Sequence, residues 1–86
     1  MKLKSIAKNQ TELTFTKGSY KITVLFSYQT AVAIHIKNKA EKILVTDTKY
    51  SSATTRHINQ FLTRYNGEKE TIKQENINNI IKSYLN

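Results

Sequence analysis

The chain has 86 residues, 14 of them Lys or Arg against 6 Asp or Glu, for a net charge of +8, and it has no cysteine. That length holds one domain with one small core, and the missing cysteine excludes a disulfide framework and a thiolate metal site. No apolar run approaches the roughly 18 residues of a membrane span, and MKLKSIAKNQ is too polar for a signal peptide, so the expectation is a soluble intracellular protein with no membrane partner.

The charge is uneven. Residues 1–64 carry 11 basic and 3 acidic side chains, and residues 65–86 carry 3 of each. A basic body with a neutral tail points to an anionic partner, most simply nucleic acid. Twelve of the 14 cations are lysine, which an AT-rich genome would also produce.

In chain order, residues 1–10 form an N-terminal segment without a clear period. TELTFT (11–16) alternates, with Leu13 and Phe15 on one side. KGS (17–19) is a turn, because Gly18 takes positive φ cheaply. YKITVLF (20–26) alternates again, with Tyr20, Ile22, Val24 and Phe26 inward and the β-branched and aromatic content of a strand. SYQT (27–30) reverses the chain. AVAIHIK (31–37) turns Val32, Ile34 and Ile36 inward, and KILVTD (42–47) is a fourth strand after NKAE. Such short links make these strands antiparallel neighbours, a four-stranded meander over 11–47.

The period then changes to 3.6. Ile58, Phe61, Leu62 and Tyr65 define a helix over 52–66, capped by Ser51 or Ser52 and ended by Gly67 in the left-handed conformation. Ile77, Ile80, Ile81 and Tyr84 define a second over 74–85. Thr71 and Gln74 have capping-box spacing, but TIK also reads as extended. The expected fold is α+β, with both helices on one face of the four-stranded sheet. The outer face then carries Lys21, Thr23, Leu25, Ala31, Ala33, His35, Lys37, Lys42, Leu44 and Thr46. Leu3 and Ile6 cover part of it, or Leu25 and Leu44 are left for a partner or a homodimer contact.

Catalysis finds little support. The six acids form no spaced pair in apolar surroundings, and His35 and His57 lack the neighbours of a metal set. Ser51 or Ser52 near His57 resembles a nucleophile–base pair, but no oxyanion loop or Gly-rich phosphate loop accompanies them. The expectation is no enzyme, no cofactor and no metal.

On the first helix, Arg56, Gln60 and Arg64 fall at i, i+4 and i+8 in one solvent-facing stripe, with His57 beside them. Guanidinium forks at that spacing suit successive phosphates or acidic side chains. Tyr28 and Tyr50 lie near strand ends, where stacking on a base is possible. The expected binding surface is Lys21, Lys37, Lys42, Lys49, Tyr50, Arg56, His57, Gln60 and Arg64, reading DNA or RNA by phosphate contact. The partner is nucleic acid or an acidic protein.

VTDTKYSSATTRHINQFL (45–62) resembles a signature of small tailed-bacteriophage proteins, in which a strand ends in Asp and Lys-Tyr-Ser leads through a hydroxyl-rich turn into His-Ile-Asn. Those positions are Asp47, Lys49, Tyr50, Ser51, Thr54, Thr55, Arg56, His57, Ile58 and Asn59. SYQTAVAI (27–34) is similar to the same family's Ser-Tyr-x-Thr-x-Val-Ala segment. Ala53 stands where that signature has threonine, and Thr55 where it has serine. The resemblance implies a phage or prophage accessory protein in the host cytoplasm. Its partner is then nucleic acid, or a host enzyme or defence nuclease that it inhibits; a self-associating virion component is a third reading. Residues 49–59 read either as a binding surface or as a structural corner in which Tyr50 and His57 bond across the turn and Asp47 orients the imidazole.

Overall fold

The computed structural model describes residues 2–7 and 9–85, without the side chains of residues 7 and 85. Met1, Lys8 and Asn86, at the margins of the expected N-terminal segment and second helix, lie outside it. Among the described residues the elements run β1 (Lys2–Ala7), β2 (Gln10–Lys17), β3 (Tyr20–Ser27), β4 (Thr30–Lys37), β5 (Glu41–Thr46), α1 (Ser52–Arg64), β6 (Glu68–Ile72) and α2 (Gln74–Leu85). The fold is α+β, built on one six-stranded sheet in the order β1-β2-β3-β4-β5-β6.

The sheet is wider than the expected four-stranded meander. The N-terminal segment is itself a strand, with Leu3 opposite Leu13. The link between the helices holds β6, which runs parallel to β5 with Leu44 opposite Glu70. Two parallel neighbours need a crossover, and α1 is that crossover. Thr71 therefore pairs with Val45 inside β6, not at a capping box.

The helices cover opposite faces of the sheet, not one. Phe61, with Ile58, Leu62 and Tyr65 around it, packs on Leu25, Val32, Ala33, Ile43 and Val45. Ile77, with Ile80, Ile81 and Tyr84, packs on Phe15, Ile22, Val24, Ile34 and Leu44. Side chains alternate along β3 and β5, so α1 and α2 lie on different sides. The expected outer face around Leu25 and Ala33 is thus a second core, with Leu25 0% exposed under α1, whereas Leu44 belongs to the other face and is buried under α2. Neither is left for a homodimer contact. Leu3, expected to cover that face, stays 69% exposed.

A bulge sits where β4 begins. Leu25 opposes Ala33 and Phe26 opposes Ala31, so Val32 is the extra residue, and Val32 and Ala33 both join the α1-side core. Bulges re-aim side chains in this way, often beside functional sites.

Ser51 caps α1, its side chain accepting from the Thr54 N–H at 3.2 Å. The helix ends at Tyr65, which is extended and donates its N–H to the Phe61 carbonyl. Gly67, expected as the terminator, has another task. At its φ of +145° a Cβ would come within 3.0 Å of the Glu41 carbonyl carbon and 3.1 Å of the Lys42 nitrogen, so glycine lets β6 approach β5 closely.

Candidate functional site

The layer between α1 and the sheet contains two polar clusters. At the start of α1, Ser27 Oγ lies 2.7 Å from His57 Nδ1 and 3.0 Å from Thr54 Oγ1. The Ser51 hydroxyl donates to Thr54 Oγ1 at 3.3 Å. With neutral His57 accepting at Nδ1, the hydroxyls order head to tail: Ser51 donates to Thr54, Thr54 to Ser27, and Ser27 to the imidazole. Each buried hydroxyl is then satisfied.

Burial holds the His57 pKa below its ordinary value of 6.5, and the neighbouring Arg56 charge adds to the effect. A histidine that folds neutral favours the native state fully above that value and loses this contribution as pH falls through it, because the unfolded chain then binds the extra proton. Wild-type stability, read from urea midpoints, is expected to decline between pH 7 and pH 5. In His57→Gln the decline is expected to be shallower; an equal slope in both proteins would place the titration elsewhere.

At the other end of α1, Arg64 Nη2 and the Tyr65 hydroxyl both donate to Glu12, the tyrosine at 2.6 Å. Glu12 is 4% exposed, so the carboxylate is a core residue and not a solvated surface group. Burial first, then the bond to Glu12, pushes the Tyr65 phenol up to about 12. Its ring stacks on His35 at 4.7 Å, and His35 Nε2 meets Glu41 Oε1 at 3.1 Å. Gln10 donates to Gln60 Oε1 at 3.0 Å in the same layer.

These bonds sort the expected surface residues. Arg64 is bound to Glu12 and Gln60 to Gln10, so of the solvent-facing stripe only Arg56 lacks such a bond among the described residues. His57 is buried beneath the helix rather than beside the stripe. Lys42 pairs with Glu70 at 2.6 Å, a bond that raises its pKa above 10.5. Lys21 and Lys37 are exposed at one end of the sheet. Lys49, Tyr50 and Arg56 are exposed at the opposite end, around the start of α1. The expected corner does not form as drawn, because the imidazole bonds Ser27. Asp47 is exposed and donates its N–H to the Ile72 carbonyl at 2.8 Å.

At that second end lies a cavity of about 160 Å³ lined by Ser27, Tyr28, Thr30, Tyr50, Ser51 and Thr54, with the bulged Val32 behind them. Residues 27–32 and 50–54, distant in sequence, meet there. Tyr28 and Tyr50 form its rim, 52% and 46% exposed. Tyr28 also has φ of +59°, a region that costs a bulky residue on the order of 1–2 kcal/mol. Ser27 and Glu12 are residues of these clusters that sequence reasoning did not single out, Ser27 reading as part of a turn and Glu12 as one of six unpaired acids. The available signal was their position on the β3 and β2 face that also carries Leu25.

Ser27 and His57 are close enough for a nucleophile and base, but Ser27 is 2% exposed and its bonds to Thr54 and His57 hold α1 to β3. The arrangement clamps the helix and leaves Tyr28, Tyr50, Ser51, Lys49 and Arg56 exposed to solvent. Among the described residues no three of His, Asp or Glu come together as a metal set, and no helix is long and apolar enough to cross a membrane.

No curated protein and no solved structure matches the chain. A model described as a family of unknown function, DUF8033, matches residues 1–79. The six-stranded, two-helix chain therefore belongs to the DUF8033 family.

Proposed function

We propose that the chain is a non-enzymatic, phage-type accessory protein that binds nucleic acid through phosphate contacts. The observation that carries this reading is the placement of Lys21 directly opposite Lys37 on neighbouring strands. Both are exposed, two residues along the strands beyond the Thr23 and His35 pair, where α1 ends. Like charges directly opposite destabilise a ladder. Glu41 stands across from Lys37 on the next strand, but its Oε1 meets His35. Neither lysine has an ion pair among the described residues. A polyanion laid across this end would remove the repulsion.

Other cations have structural tasks. Lys17 donates to the Ser83 and Tyr84 carbonyls at the end of α2, where a positive charge suits the helix dipole. Arg64 and Lys42 are paired. Lys21, Lys37 and the turn residue Lys39 remain at this end for a partner.

Fluorescence anisotropy against salt tests the reading. Affinity for an oligonucleotide is expected to fall steeply with salt, and the Lys21→Ala/Lys37→Ala variant is expected to lower the log–log slope by about 2. A flat salt response retires the proposal. A partner that stays bound after nuclease digestion assigns the surface to an acidic host protein instead.

A further inference from the structure

Two hairpins of this chain make an internal comparison. β2–β3 closes through Gly18 and Ser19, and β3–β4 closes through Tyr28 and Gln29. In each, the first loop residue takes positive φ, +61° at Gly18 and +59° at Tyr28. Glycine is the residue that such a position favours. Where the turn alone matters the chain uses it, and nothing lies within 4 Å of where its Cβ would be. Tyr28 bears the steric penalty instead, yet is 52% exposed. Its ring partner is His57, tilted at 6.1 Å. The core does not account for a tyrosine here.

The surroundings do. Tyr28 and Tyr50 rim the same cavity, and the Ser27, Ser51 and Thr54 side chains line it between them. Lys49 precedes Tyr50, Arg56 lies early in α1, and the first turn of α1 has no acidic residue. We propose that this cavity takes an unpaired base of a single-stranded nucleic acid, stacked on Tyr28 and Tyr50, while the adjoining phosphates meet Lys49 and Arg56. The inference rests on the nucleic-acid reading above and names the substrate class. A duplex keeps its base faces stacked inside and has none to offer. Every base has a π-face, so the capture tolerates sequence.

The test uses a fluorescein-labelled oligothymidine strand and a duplex of the same length. Wild type is expected to prefer the strand. Y28G is expected to lose roughly five- to hundredfold in strand affinity, with duplex affinity unchanged, while Y28F keeps strand binding because the ring face remains. The melting temperature of Y28G is expected to hold or rise, since glycine suits the turn. Unchanged strand binding in Y28G overturns the inference. A fall in stability together with binding also overturns it, because Tyr28 is then a structural residue. Equal affinity for strand and duplex, indifferent to Y28G, removes base capture alone. Absence of salt-sensitive binding to any nucleic acid removes both readings.

Discussion

Leu25→Ala is expected to destabilise the protein by about 2–5 kcal/mol, the usual cost of emptying a well-packed leucine site. For a domain of this size that corresponds to a melting-temperature drop of roughly 10–30 °C. Leu25 is 0% exposed and packs with Val32, Ala33, Ile43, Val45 and Phe61. Collapse around the void is limited, because strands wall one side and Phe61 the other. The same substitution on an exposed strand face would cost within about 0.5 kcal/mol. Urea denaturation thus discriminates between architectures. A loss under about 1 kcal/mol would mean that α1 does not cover this face.

Glu12→Ala is expected to cost about 2–3 kcal/mol. Breaking a buried ion pair by removing one partner leaves the other uncompensated. Here the Arg64 side chain is 33% exposed and recovers some hydration, which places the cost below that of a fully buried pair. The Tyr65 hydroxyl loses its acceptor in the same layer, which adds an unsatisfied group. Glu12→Gln is expected to cost less, since an amide oxygen still accepts from Tyr65. Chemical denaturation of the two variants side by side is the check. If both match wild type, Glu12 is a solvated carboxylate after all.

Much of the fold is legible from local patterns. The alternation in 11–16, 20–26 and 31–37, the apolar run in 42–47 and the 3.6-residue period around Ile58 and Ile77 mark elements close to the observed β2 to β5, α1 and α2. What local patterns hide is the second buried face. Leu25, Ala33 and His35 alternate with stronger apolar residues and so read as outward. The telling signal is Ile43-Leu44-Val45, apolar on both sides of one strand, as strands covered on both faces are. β6 escapes notice because Glu68, Lys69 and Glu70 have little strand propensity, and its pairing with β5 is decided by packing far along the chain.

The site divides in the same way. Lys49, Tyr50 and Arg56 surround the start of α1 as their sequence proximity implies. Arg64 and Gln60 have the spacing of a solvent stripe, yet they reach Glu12 and Gln10, 52 and 50 residues away. No helical wheel contains that information. Ser27 likewise meets His57 across 30 residues, joining two segments whose chemistry is visible separately but whose contact is tertiary.

Strands laid in a line, unlike a closed barrel, leave β1 and β6 with unpaired backbone groups along their outer sides, a template for fibril growth. β1 carries Lys2 and Lys4 around the bare Leu3, and β6 carries Glu68, Lys69 and Glu70. Stacking either margin on its own copy in register would press identical charges together and desolvate them. The charged side chains on these two margins thus work against edge-to-edge pairing of copies of the chain.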